Sequence, residues 1–183
     1  VRWATCSLCK QRYHGVVQCA LGWGCWKTYV GRPEVEEVRG FAMGQLGNGL
    51  SAAGHRADAL SVGEAQLAMM RRLGATEGTI LVVQNNLACT YTSIGQLDRA
   101  LHLRQEVYSA HLRLSGEEHP QTLTAANNYA HCLVSLQRFE ESKSLFRKIM
   151  PVARRVLGDS HDVTIRLRLG FALALYKDPV ATL

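Results

Sequence analysis

From Glu34 onward, apolar residues recur at spacings of three and four, and the runs are separated by short polar or glycine-bearing loops. That period marks amphipathic helices that bury one face. It predicts helices at about 34–53, 56–73, 77–93, 97–114, 120–136, 139–156 and 161–176. Pro33-Glu34-Val35-Glu36-Glu37 suits a helix start, with proline in the first turn and acids at the positive end of the dipole. Gly54 and Gly95 are placed to end helices as C-terminal caps. Pro151 falls inside a predicted helix and is expected to kink it, because its ring removes the hydrogen bond to Arg147. Ahead of this region, Val16–Trp26 reads as an apolar helix, although Gly22 and Gly24 each cost about 1 kcal/mol of propensity. Cys19, Trp23 and Trp26 lie at i, i+4 and i+7, which predicts a shared core face.

The helices repeat. Gln84–Glu118 returns as Ala126–Ser160, with Asn85/Asn127, Ala88/Ala130, Leu103/Leu145, Gly116/Gly158 and His119/His161 all 42 residues apart. An earlier, weaker copy aligns at an offset of 41 through Leu46/Leu87, Leu50/Tyr91 and Gly54/Gly95. A final helix aligns at 42 through Ile165/Leu123, Phe171/Tyr129 and Ala172/Ala130. Self-similarity at a fixed period is the mark of stacked repeats. The fold class is therefore all-α: three helix pairs and one further first helix over residues 34–183, preceded by a cysteine-containing basic head over residues 1–33.

Leu87-Ala88-x-x-Tyr91-x-x-x-Gly95-x-Leu97-x-x-Ala100 resembles the tetratricopeptide repeat. The 42-residue length, the Asn85-Asn86-Leu87-Ala88 run and Gly116-Glu117-Glu118-His119-Pro120 look like its kinesin-light-chain subtype. The likeness covers Glu34 to about Tyr176. The first copy departs from it with Met43-Gly44-Gln45 in place of the Asn pair, and the third with Gln137 at the turn glycine and Ser142 at the small position. The resemblance implies a right-handed α-solenoid of about 3.5 pairs, whose first helices line a concave groove. By alignment it would place there Phe41, Gln45 and Asn48; Val82, Asn85, Asn86 and Cys89; Thr124, Asn127, Asn128 and His131; and Arg166. Carboxamides suit that role, since each offers a donor and an acceptor to a peptide backbone; some Asn could instead only bridge adjacent repeats. The row is nearly uncharged, so the implied activity is a non-catalytic adaptor or scaffold that takes a peptide or helix.

Two other readings compete. The helix Val163–Tyr176 carries Ile165, Leu167, Leu169, Phe171, Leu173 and Leu175, too apolar for a solvated end. A solenoid end without a polar cap needs a neighbour, which suggests a structural subunit joined to other subunits of a larger complex. The head, Trp3-Ala-Thr-Cys6-Ser-Leu-Cys9-Lys10-Gln11-Arg12-Tyr13 followed by the apolar helix and Gly31-Arg32-Pro33-Glu34, resembles a junction in algal and protist proteins. Those proteins join a RING-CH zinc domain to such repeats. Cys6 and Cys9 would match the last zinc pair, and a C-terminal fragment of such a ubiquitin ligase is the second alternative.

Charge and cysteine usage bear mainly on the head. Residues 1–33 hold five basic groups (Arg2, Lys10, Arg12, Lys27 and Arg32) and no acid. The other 150 residues balance 16 basic against 15 acidic, and the interspersed acids argue against a nucleic-acid stripe. Cys6 and Cys9 have the spacing by which two thiolates reach one zinc. Cys19, Cys25 and His14, or residues preceding Val1, would have to complete the site; reduced structural cysteines are the other reading. The sparse cysteines favour a reducing compartment, cytoplasmic by default, and the absence of an initiator Met suggests a trimmed start. No apolar run reaches the length of a membrane span, and no phosphate loop, His-Glu-x-x-His or nucleophile elbow is present. His119 and His161 recur in loops and are expected to be structural.

Overall fold

A computed structural model describes residues 11–30 and 36–179. Among the described residues there are eight helices and no strand: α1 Gly15–Tyr29, α2 Glu36–Ala52, α3 Arg56–Arg72, α4 Glu77–Ser93, α5 Leu97–Ser115, α6 Pro120–Ser135, α7 Phe139–Leu157 and α8 Asp162–Lys177. The first helices of the repeats are α2, α4, α6 and α8. The chain divides into two compact units, one up to Gly95 and one from Gln96.

In the first unit α1 packs on α2, α2 on α3, and α3 on α4. At two glycines the contact between α1 and α2 is made by backbone. A Cβ on Gly22 would lie 2.7 Å from the carbonyl oxygen of Gln45, and one on Gly49 would lie 2.8 Å from the Cα of Cys19. Gly22, costly to helix propensity, is what lets the axes approach. That centre of contact also rotates the expected core face. Gly22 and Cys25 are buried, while Cys19 and Trp26 pack against Leu46, Leu50 and Ala59. Trp23 is left 45% exposed, since the contact runs through the small residues beside it.

In the second unit α6 packs against α5, α7 and α8, and α7 against α8. Phe146 is fully buried among Leu123, Ala130, Val134, Ile149 and Leu167. Ser142, at the small position, donates its hydroxyl to the carbonyl of Ala130 at 2.9 Å, so its burial leaves no polar group unpaired. The repeat period extends to the ties between successive pairs. Thr122 Oγ1 donates to the carbonyl of His111 at 3.2 Å, and Thr164 Oγ1, 42 residues on, to that of Ala153 at 3.5 Å. Helix α7 continues through Pro151 as one element.

The turn glycines have the expected left-handed backbone, with φ of 87° at Gly54 and 80° at Gly95. Gln137 adopts the same region at φ 59°, the single non-glycine residue among those described to do so. His119 and His161 cap α6 and α8: each Nδ1 accepts the N–H two residues on, from Gln121 and Val163, at 3.2 Å. A buried ion pair closes the end of α8, with Lys143 Nζ 2.6 Å from Asp178 Oδ2 and Glu140 also on the ammonium. The bonds to Asp178 and then Glu140 raise the Lys143 pKa above its ordinary value.

Candidate peptide-binding groove

Five of the sequence-selected residues meet in one cavity of the first unit, of about 760 Å³. Phe41, Gln45 and Asn48 reach it from α2, and Val82 and Asn86 from α4. They lie on successive turns of their helices, and Phe41/Val82 and Gln45/Asn86 are repeat equivalents at an offset of 41. Phe41 is 46% and Val82 61% exposed, which leaves two apolar side chains open to solvent inside a concavity. None of the described lining residues is ionisable. The wall can therefore desolvate an apolar side chain and offer carboxamides to a backbone without the cost of stripping water from a charge.

Reading only the first helices missed the rest of the wall. Gln66 and Met70 line it from α3, with Leu73 to Thr76 from the loop that follows. Gln66 is buried and donates from Nε2 to the carbonyl of Gly40 at 2.7 Å, which fixes its position. Gly40 and Gly44 also line the cavity, and the second copy has Leu81 and Asn85 at those places. The glycine pair on a predicted first helix, where the second copy has Leu81 and Asn85, was the available signal.

Asn85 is half-buried and Cys89 exposed on α4, and neither lines this cavity. In the second unit Thr124 is half-buried and its hydroxyl returns to the carbonyl of Pro120 at 2.9 Å. Asn128 is half-buried. Asn127 is buried, and its Oδ1 accepts no hydrogen bond. His131 stacks edge-on against Phe146, centroids 5.9 Å apart, and a Cβ on Gly170 would come within 2.8 Å of its Nε2. Burial first, and Arg104 second, lower the His131 pKa from its ordinary value and favour the neutral ring. Arg166 is exposed and ion-paired with Asp162 at 2.6 Å. In this unit the column splits: Asn127 is interior, Arg166 is exposed, and Thr124, Asn128 and His131 are half-buried between them.

Cys6 and Cys9 lie outside the described residues. Cys25 is buried and Cys19 is packed into the α1–α2 contact. Among the described residues, no three His, Cys, Asp or Glu groups are placed to hold a metal. No described helix is long and apolar enough to cross a membrane.

The tetratricopeptide repeat family matches the sequence twice, over residues 80–121 and 121–178. No curated protein matches the chain. Among solved structures, a point variant of a putative kinesin light chain from Podosopora anserina with nearly identical TPR-like repeats matches at TM-score 0.76 and 19% identity, over 86% of this chain and 76% of that one. A second structure of that protein gives TM-score 0.75 at the same identity and coverage. BtubC (BKLC) from P. vanneervenii matches at TM-score 0.65 and 16% identity, over 87% of this chain and 71% of that one. At these identities the likeness establishes the fold. The chain carries tetratricopeptide repeats over residues 80–178 and shares its fold with these kinesin-light-chain-like repeat proteins.

Proposed function

We propose that the chain is a non-catalytic interaction scaffold and that the cavity between α2 and α4 is where it takes a peptide or helix. Tetratricopeptide repeats generally mediate protein–protein contact, and repeat stacks use their concave faces for it. The observation that carries the reading is the uncharged cavity itself. Phe41 and Val82 are held open within it, with Gln45, Asn48 and Asn86 beside them. Such a wall favours an uncharged stretch with an apolar side chain over an acidic or basic tail.

Selection of displayed random peptides on the purified chain tests this. The selected peptides are expected to be poor in charge and to lose at least about tenfold in affinity for a Phe41→Glu/Val82→Glu variant, the scale of a central interface residue. Both positions are exposed, so the variant should keep its thermal midpoint. Peptides that bind the variant as well as the parent would move the interaction off this groove.

A further inference from the structure

One position on the second helices of the repeats changes chemistry in the first copy alone. Gln66 on α3 aligns at an offset of 41 with Val107 on α5, and Val107 at 42 with Ile149 on α7. All three are buried, so a polar side chain holds a place that is apolar core in the other two copies. The first helix changes where it meets Gln66. Gly40 stands where the other copies have the buried Leu81 and Leu123, and Gly44 where they have Asn85 and Asn127. Two missing side chains on α2 thus open the cavity onto α3. Met70 takes part of that space, since a Cβ on Gly40 would fall 1.7 Å from its Cε. The carboxamide of Gln66 lies against Gly44, where a Cβ would be 3.2 Å from Nε2 and 3.8 Å from Oε1.

The two ends of that carboxamide differ. Nε2 donates to the carbonyl of Gly40 at 2.7 Å, and a carbonyl only accepts, so this bond fixes which end is which. Oε1 accepts from no group among the described residues, although Gln66 is only 8% exposed and lines the cavity. A buried acceptor left without a donor is unfavourable, and one that receives its donor from a ligand contributes to discrimination between ligands. The wall around it is apolar, with Met70 and Val83 lining the same cavity and Phe41 and Val82 open to solvent. We infer that Gln66 Oε1 is the specificity-determining acceptor of the cavity, and that the ligand inserts an apolar side chain tipped by a hydrogen-bond donor, such as a phenol. This rests on the groove reading above and sharpens it. An apolar wall alone would prefer the side chain without its hydroxyl, because burying a hydroxyl is costly unless it is bonded.

Two side-chain analogues serve as probes: p-cresol, which is the side chain of tyrosine, and toluene, which is that of phenylalanine and lacks the hydroxyl. Titration of the isotope-labelled full chain, followed by its amide spectrum, should shift the amides of Gly40, Gly44 and Gln66 with both. Wild type should bind p-cresol about two- to tenfold more tightly, the range of one net hydrogen bond. Toluene should become the tighter ligand in Gln66→Met, which keeps the volume without the acceptor, and in Gln66→Val, which carries the second copy's residue. Each comparison is a ratio of two probes on one protein, so a lower folded fraction in a variant cancels. Three results overturn the proposal: toluene binding wild type as tightly as p-cresol, p-cresol keeping its advantage in both variants, or shifts confined to other amides. The groove reading fails separately. Displayed peptides that lose affinity for Phe41→Glu/Val82→Glu while p-cresol shows no advantage would keep the groove and remove the acceptor.

Discussion

Helix α2, the first of the repeats' first helices, has a neighbouring helix that closes one of its faces; α8, the last, has a face that nothing described covers. At α2 the closure is made by α1 through Gly22 and Gly49, with backbone atoms in contact and a fully buried Cys25 beside them. At α8 the polar closure is confined to its C-terminal end, where Asp178 folds back onto Lys143, and the apolar stripe along the helix stays in solvent. In repeat proteins each element is stabilised chiefly by its immediate neighbours. The difference teaches that burial, rather than apolar content, separates the two helices among the described residues. Helix α1 exposes Val16, Val17 and Trp23, whereas α8 exposes residues whose repeat equivalents are core.

The comparison breaks most directly at Gly49. Leucine there should destabilise the protein by about 1–3 kcal/mol, the usual cost of forcing atoms into a packed contact. Two effects oppose each other: leucine improves helix propensity by somewhat under 1 kcal/mol relative to glycine. The clash should win, because the atoms that a Cβ would meet at 2.8 Å are backbone atoms of α1 that cannot rotate away. Urea unfolding of Gly49→Leu measures the balance. A gain in stability would mean that α1 does not seal α2.

A smaller effect sharpens the comparison at the turns between paired helices. Gly54 and Gly95 take a left-handed conformation at little cost, whereas Gln137 holds it with a side chain. Restoring glycine by Gln137→Gly should stabilise the second unit by about 0.5–1 kcal/mol, less than the full left-handed penalty because glycine also loosens the unfolded chain. The matching Gly95→Ala should cost a similar amount. Thermal midpoints that move in the same direction for both substitutions would contradict the shared turn geometry.

The helices were legible because their punctuation is local: Gly54, Gly95 and the two His-containing loops stand at true boundaries, and the segment expected at 56–73 is Arg56–Arg72. Five of the residues that line the cavity of the first unit were legible for a related reason, since equivalence at an offset of 41 carries a position from α2 to α4. The rest depended on partners far along the chain. Lys143 reads as a solvated lysine on an amphipathic helix until Asp178, 35 residues away, is placed against it. Gln66 reads as surface until Gly40 accepts its amide. The rotation of α1 was hidden because a glycine-centred contact reverses the usual rule that large apolar residues mark the buried face. Asn127 shares its column with Asn85, yet burial differs between them, and periodicity alone does not report how many neighbours a helix has.

The finest distinction is in pH response. His131 on α6 lies against Phe146, and burial, then Arg104, depress its pKa from the ordinary 6.5. His111 is shifted the same way, by burial and then by His119. For a histidine depressed in the folded state, the unfolded chain takes up the proton first as pH falls. Stability is therefore full above about pH 6.5 and declines as pH drops through the interval down to the folded value; below both values it changes no further on this account. His131→Asn removes one of the two groups while keeping a polar side chain of smaller size, so its unfolding free energy should fall less between about pH 7.5 and about pH 5.5 than that of the wild type. Urea unfolding at the two pH values gives both slopes. Equal slopes would place His131 in effective contact with solvent and remove it from the packing of α6 against α8.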